Sequence, residues 1–207
     1  MRPGKRRGTL PGMEAAFETG RLVLRRFTTG DADELAALDG DPEVMRFLGP
    51  VKSRTEIEAV VLPRLMTCHA RHPGLGYWAA RDRGGGELAG WFGLRPVVPG
   101  SAPIDDWPDA PAGDVTTAAL GYRLRRSAWG QGYATEGARA LVRRAFTGLG
   151  VGRVVATTMA VNVRSRRVLE KAGLRHSRTL HLDWPDPLPG NEHGDVEYEL
   201  CRDGWQP

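Results

Sequence analysis

The chain has few cysteines, no long apolar run and no acidic residue among its first dozen positions. Its 2 cysteines, Cys68 and Cys201, are too few for a disulfide framework, so we expect reduced thiols and a cytoplasmic protein. No segment is apolar over a length that suits a signal peptide or a membrane span. We therefore expect no membrane partner.

The positive charge is confined to the N-terminus. The formal net charge is +4, and Arg2, Lys5, Arg6 and Arg7 account for all of it. A protein that reads nucleic acid normally carries a basic face on its folded domain, so we expect no nucleic-acid partner. We predict a disordered basic tail over 1–18 and one domain over 19–207, with Met13 as an alternative start.

The most informative stretch is W-G-Q-G-Y-A at 129–134, which places two glycines directly before an amphipathic helix. Apolar residues recur at spacings of three and four over 134–149, and β-branched residues dominate a strand predicted over 153–159. A strand is also predicted over 118–124, with a bulge at Gly121. A helix start exposes unpaired N–H groups and the positive end of the macrodipole, so this turn suits an anion, although a turn that binds nothing has the same pattern.

A second motif follows the 153–159 strand. The segment 162–174, N-V-R-S-R-R-V-L-E-K-A-G-L, begins with an N-cap asparagine and ends at a glycine. Neither the dinucleotide pattern G-x-G-x-x-G nor a Walker lysine pattern occurs. The glycine turn therefore does not belong to those two nucleotide-binding classes.

These motifs resemble the GNAT superfamily of acetyl-CoA-dependent N-acetyltransferases, and most closely its ribosomal-protein-alanine (RimJ/RimL-like) branch. The matching stretches are L-G-Y-R-L at 120–124, W-G-Q-G-Y-A-T-E at 129–136, the segment 162–174, and D-P-E-V-M at 41–45. Two positions depart from the superfamily pattern: Trp129 replaces Gln or Arg, and Leu174 replaces Phe.

The remaining elements complete a mixed α/β (α+β) domain with about seven strands and about four helices. Further strands are predicted over 21–25, 77–81, 87–94, 177–183 and 195–201, and further helices over 31–38 and 55–69. We expect the first of these helices to be capped near Thr29 or Gly30. The resemblance implies a single GNAT-type domain whose mostly antiparallel sheet has a splayed central pair of strands.

The resemblance implies acetyl-CoA as acetyl donor and a set of residues that bind it. Main-chain N–H groups over Gly130–Ala134 would hold the pyrophosphate, and the strand at Tyr122–Leu124 would pair with pantetheine. A bulge in that strand would turn an N–H toward the thioester carbonyl. The predicted cofactor-binding residues are Tyr122, Arg123, Leu124, Trp129, Gly130, Gln131, Gly132, Tyr133, Ala134, Thr135, Asn162 and Ser165. Asn162 as a helix cap alone, and Ser165 as an ordinary first-turn serine, remain alternatives.

The catalytic candidates are Ser165 and Glu197. The resemblance implies that Ser165 donates a hydrogen bond or proton to the leaving sulfur. Glu197 is the candidate base, although its strand would also place it on a solvated polar face. His181, Asp183 and Glu192, in or beside the last loop, are alternative bases. Their spacing does not make a convincing metal site, and we expect no metal.

The acceptor is expected to be a primary amine, such as a protein N-terminal α-amine. Two alternatives remain open: a small-molecule acetyltransferase for aminoglycosides or polyamines, and an acetyl-CoA sensor without turnover. Acidic residues on the long loop, with Trp107 among them, are candidates for contact with a cationic acceptor. Homodimers are common in this family, although the sequence supplies no interface.

Overall fold

The computed structural model describes residues 15–70, 72–84, 86–97 and 115–207. Across these residues a single sheet has the strand order β1-β2-β3-β4-β5-β6-β8-β7. The strands are β1 (Ala15–Glu18), β2 (Leu22–Arg26), β3 (Gly76–Asp82), β4 (Leu88–Pro96), β5 (Thr117–Leu124), β6 (Arg153–Met159), β7 (Arg175–Leu180) and β8 (Asp195–Cys201). Of the seven neighbouring pairs, only β5 and β6 are parallel.

Helices cover both faces of this sheet. They are α1 (Ala32–Asp39), α2 (Pro42–Met45), α3 (Arg54–Glu56), α4 (Leu62–Thr67), α5 (Tyr133–Gly148) and α6 (Val163–Lys171). One apolar cluster joins the sheet to α5 and α6, and a second joins it to the helices between β2 and β3. The predicted mixed α/β domain is therefore confirmed, with one strand more than expected.

The additional strand is β1, and it corrects the predicted boundary of the tail. The sequence prediction places residues 15–18 in the tail, but these residues pair with β2 in an antiparallel arrangement. The segment has no β-branched residue, so its intrinsic preference for a strand is low. It becomes a strand because it pairs with the edge of β2. Residues 1–14, like the acidic loop residues and Trp107 within 98–114, lie outside the described residues.

The predicted bulge at Gly121 is wrong. Gly121 pairs directly with Gly93 of β4, and the pairing of these two strands is unbroken. The irregularity lies instead between β3 and β4, beside Gly90, whose φ is +150°. A Cβ on Gly90 would lie 2.1 Å from the carbonyl oxygen of Arg123, so a glycine is needed where β4 approaches β5 closely.

The predicted helix over 55–69 is broken into parts by a proline. A π turn, Ile57–Val61, separates α3 from α4, and Pro63 stands in the first turn of α4. Proline lacks an N–H group, and its ring clashes with the carbonyl four residues earlier. The wider turn accommodates that clash and lets the helix resume at Leu62.

A buried ionic cluster fixes the start of α1 against the sheet. Asp31 accepts hydrogen bonds from Arg25 Nη1 at 2.7 Å, Arg81 Nη2 at 3.0 Å and the Thr28 main-chain N–H at 2.8 Å. Burial alone would raise the pKa of Asp31, but these bonds outweigh it and lower the pKa to about 2. Thr28 and Asp31 form a capping box around the 3-10 turn Thr29–Asp31, and Asp31 is the N-cap of α1, rather than the predicted Thr29 or Gly30.

Candidate active site

The sheet opens at its parallel pair. β5 and β6 are paired only from Thr117 to Ala119 on β5 and from Arg153 to Val155 on β6. Beyond those positions β5 stays paired with β4, and β6 stays paired with β8. Within the described residues, one edge of each strand is therefore left without a neighbouring strand, and a cleft lies between these two edges, toward the start of α5. The splayed central pair implied by the resemblance is thus present.

The glycine turn forms a cradle of free main-chain donors at the end of this cleft. Gly130 has φ +73° and Gly132 has φ +84°, a conformation that favours glycine. No hydrogen bond within the described part of the chain uses the N–H groups of residues 130–135. The first bonded N–H is that of Glu136, which donates to the Gly132 carbonyl. Six consecutive free N–H groups at a helix start suit a pyrophosphate.

The side chain of Arg21, the residue before β2, holds the cradle in place, and no motif in the sequence indicates this contact. Arg21 donates from Nη1 to the Gln131 carbonyl at 2.7 Å and from Nε to Glu136 Oε2 at 2.7 Å. Its guanidinium also lies 4.6 Å from the ring centroid of Tyr133. Because Glu136 is in the first turn of α5, its charge would repel a bound phosphate, and Arg21 offsets that charge.

Two side chains of the turn are engaged by neighbouring segments of the chain. Trp129 donates from Nε1 to the Leu124 carbonyl at 2.8 Å, and the Arg164 guanidinium lies 5.2 Å from its ring. Gln131 donates to the Ser127 carbonyl at 2.5 Å. The indole therefore fixes the turn to the end of β5. Contact with a ligand through the Trp129 or Gln131 side chain stays a prediction.

Asn162 and Ser165 lie together at the first turn of α6. Asn162 Oδ1 accepts from the Ser165 main-chain N–H at 3.2 Å, and its Nδ2 donates to Thr158 Oγ1 at 3.2 Å. Asn162 is thus the helix cap that the sequence predicts. Across the cleft, the Tyr122 hydroxyl on β5 lies 3.0 Å from Ser165 Oγ and 3.1 Å from the Ser165 carbonyl oxygen.

The other predicted residues lie on β5 and in the first turn of α5. The two on β5 point to opposite faces of the sheet. Leu124 is buried in the core cluster with α5, whereas Arg123 points to the opposite face. There Arg123 Nη1 lies 2.6 Å from Asp39 Oδ1, and its guanidinium lies 5.2 Å from the ring of Trp91. Tyr133 donates its hydroxyl to Asp82. Ala134 and Thr135 are partly buried in the first turn of α5.

Glu197 is buried on β8 and bound to arginines on both sides. Oε1 accepts from Arg178 Nε and Oε2 from Arg178 Nη2, each at 3.1 Å, and Arg153 Nη2 lies 3.6 Å from Oε1. A general base needs a free lone pair close to the amine. The base role of Glu197 stays a prediction, and these ion pairs count against it.

Substitution of Glu197 by glutamine tests that role. We expect Glu197→Gln to lower the melting temperature, because a buried carboxylate paired with Arg178 is lost, and to change kcat by less than about threefold. Circular dichroism and a free-thiol assay measure the two effects. A fall in kcat of about a hundredfold or more, without a change in melting temperature, would restore Glu197 as the base.

The alternative bases lie on the loop between β7 and β8. β7 ends at Leu180, so His181 and Asp183 follow the strand rather than belong to it, and both are exposed. Glu192 is also exposed, and its Oε2 accepts from the Gly190 N–H at 2.9 Å. Nothing in this geometry selects one of the three.

Among the residues that the structure describes, no group of three or more His, Cys, Asp and Glu side chains is arranged to hold a metal ion. None of the helices in the described ranges has both the length and the apolar character to cross a bilayer.

Comparisons with known proteins identify the family. Residues 21–175 match the family model described as an acetyltransferase (GNAT) domain. The chain is 40% identical over 193 residues to the FsC-acetyl coenzyme A-N(2)-transacetylase of Aspergillus fumigatus. The aligned region covers 93% of this chain and 78% of that protein.

Solved structures share the fold at low identity. RimL, a ribosomal L7/L12 alpha-N-protein acetyltransferase in complex with coenzyme A, matches with a TM-score of 0.70 at 20% identity over 93% of this chain and 100% of its own. The aminoglycoside acetyltransferase AAC(6')-Ib, in complex with coenzyme A, matches with a TM-score of 0.65 at 22% identity, covering 88% and 96%. At this identity the likeness to both proteins shows the fold alone, and membership of the ribosomal-protein-alanine branch stays a prediction. The chain belongs to the GNAT family and is an acetyl-CoA-dependent N-acetyltransferase.

Proposed function

We propose that this enzyme acetylates the α-amine of a small molecule or a peptide by direct attack of the amine on the thioester. The observation that carries the proposal is the 40% identity, over 93% of the chain, to an enzyme named as an acetyl coenzyme A N(2)-transacetylase. Where an acceptor is numbered as an amino acid, N(2) is the α-amino nitrogen. Sensing without turnover is disfavoured, because that relative is named for acetyl transfer.

The chain's own groups fit an acetyl-CoA ligand. The free N–H groups at 130–135 suit the pyrophosphate, and the Thr135 hydroxyl is an additional donor beside them. The unpaired edge of β5 at Tyr122–Leu124 suits the amides of the pantetheine arm, as an added strand would. Asn162, at the start of α6, would contact the same arm. When bound, acetyl-CoA supplies the thioester that the amine attacks.

The acceptor class decides how strong a base the site needs. A lysine-like amine, with pKa near 10.4, costs about 4.6 kcal/mol to deprotonate at pH 7, whereas an α-amine, with pKa near 8, costs about 1.4 kcal/mol. The Glu197 carboxylate is bound to Arg178 and Arg153, so it is not free to act as a strong base. An α-amine acceptor is compatible with that arrangement.

The leaving group needs only modest help. A thiol pKa near 8.5 makes the thiolate a fair leaving group at neutral pH. The Ser165 hydroxyl, at the α6 wall of the cleft, donates a hydrogen bond to the sulfur as the carbon–sulfur bond breaks. The proton lost by the amine nitrogen goes to solvent, and the thiolate takes up a proton from solvent.

A matched pair of acceptors tests the proposed amine class. Nε-acetyl-lysine amide has a free α-amine, and Nα-acetyl-lysine amide has a free side-chain amine of the same molecule. At pH 7 we expect kcat/KM to favour the α-amine by about 250-fold, from the difference in amine pKa. The assay reads free thiol, with spermidine and kanamycin as further acceptors. Preference for the side-chain amine, the polyamine or the aminoglycoside would contradict the proposal.

A further inference from the structure

A single phenol hydrogen faces two oxygen atoms of Ser165. The Tyr122 hydroxyl lies 3.0 Å from Ser165 Oγ and 3.1 Å from the Ser165 carbonyl oxygen, across 43 residues of sequence. A tyrosine hydroxyl has one hydrogen to donate and can accept in return. Tyr122 therefore cannot donate its hydrogen fully to both oxygen atoms at once. The direction of the Tyr122 hydrogen decides whether the Ser165 hydroxyl donates to Tyr122 or to another acceptor.

The two arrangements leave the serine in different states. If Tyr122 donates to the carbonyl oxygen, its own oxygen is the acceptor for the Ser165 hydroxyl, which then turns toward β5. If Tyr122 donates to Oγ, the hydrogen of Ser165 is free to donate to another acceptor. A bound thioester sulfur at the cleft is such an acceptor.

Ser165 and Tyr122 are each held by a further contact. Its main-chain N–H is bound to Asn162 Oδ1 at 3.2 Å, so the first turn of α6 is held at this residue. Tyr122 itself packs against the core cluster, with the ring of Phe92 at 6.1 Å between centroids. The serine is thus held from its backbone by α6 and from its side chain by β5.

We propose that Tyr122 is a positioning residue that directs the Ser165 hydroxyl hydrogen toward the leaving sulfur. The inference rests on the role of Ser165 in the proposed function. Burial raises the pKa of Tyr122 well above its usual range, and its hydrogen bond with Ser165 offsets this only in part. The phenol therefore stays neutral, keeps its proton throughout the reaction, and acts through hydrogen-bond direction alone.

A double-mutant cycle of Tyr122→Phe and Ser165→Ala tests this proposal. We expect Tyr122→Phe to lower kcat by about fivefold to twentyfold in the wild-type background and by less than twofold in Ser165→Ala. The KM for acetyl-CoA should change by less than threefold, because the proposed bond acts on the leaving step. Equal effects in both backgrounds, or an effect on KM alone, would show packing rather than positioning.

The outcomes separate this inference from the proposed function. If Ser165→Ala leaves kcat unchanged, the role of Ser165 fails and this inference fails with it. If Ser165→Ala slows turnover but Tyr122→Phe does not, only the inference about Tyr122 is overturned. The acceptor preference is measured independently of both.

Two further variants guard against a merely structural effect. Tyr198 is a buried strand tyrosine whose hydroxyl donates to Glu170 of α6 at 2.9 Å, so it is a matched control. Tyr198→Phe should lower the melting temperature without changing kcat. If Tyr122→Phe does not fold, difluorotyrosine at position 122 keeps the ring shape and strengthens the donor. The change in kcat that difluorotyrosine causes should be seen when Ser165 is present and should be absent in Ser165→Ala.

Discussion

Replacing Gly132 by valine is expected to weaken the binding of coenzyme A by about thirtyfold or more. Gly132 is the cap of α5 at φ +84°, a conformation that costs about 1–2 kcal/mol for a residue with a Cβ and more for a branched one. Relief of that strain rotates the free N–H groups at the start of α5 away from a common target. Isothermal titration with coenzyme A measures the loss.

Gly148 is the matched control for this substitution. It belongs to the same helix at the opposite end, it is not among the glycines with positive φ, and a Cβ there meets open space. Gly148→Val should leave the affinity for coenzyme A within about twofold of wild type. If Gly132→Val binds coenzyme A as tightly as Gly148→Val does, the cradle is not the pyrophosphate site.

The second large effect is on stability. Asp31→Asn is expected to lower the free energy of unfolding by about 3–5 kcal/mol, because it leaves the buried Arg25 guanidinium without its carboxylate. Arg25 and Asp31 are 5% and 1% exposed, and Arg81 loses one of its carboxylate partners as well. Chemical denaturation at pH 7 measures the change. The control is Asp33→Asn, two residues further on, whose side chain is 86% exposed and should contribute less than about 1 kcal/mol.

The same residue gives a pH dependence with a defined sign. The pKa of Asp31 is lowered in the folded protein from 3.8 to about 2. Its contribution to stability is therefore complete above about pH 4 and is lost as the pH falls through the folded value. The wild type should lose about 2 kcal/mol between pH 4 and pH 2 that Asp31→Asn does not lose. Parallel pH profiles for the two proteins would contradict the assignment.

Local signals predicted the elements that carry the cradle. α5 was predicted over 134–149 and is found at Tyr133–Gly148, because its apolar spacing, leading glycines and trailing glycine all indicate the same helix. Asn162 was predicted as a cap from its position alone, and its side chain does accept the bond from residue 165. Pro63 indicates an irregular turn before α4, but the helical spacing of apolar residues over 55–69 favours one continuous helix.

Contacts between distant segments could not be predicted. Arg21 and Glu136 meet across 115 residues, and neither residue type is unusual in its own segment. The arginine partners of Glu197 depend on the register of β7 and β6 against β8, which alternation alone does not specify. For the same reason β1 was missed, since its four residues become a strand only beside β2.

The short contact between β5 and β6 leaves the sheet with a seam. Within the sheet, three residue pairs join strands β1 to β5 with strands β6 to β8. A molecule that lies along this seam and touches both parts favours the folded state over the unfolded one. Saturation at a hundred times the dissociation constant adds about 2.7 kcal/mol, so we expect the acetyl donor to raise the melting temperature of the enzyme as well.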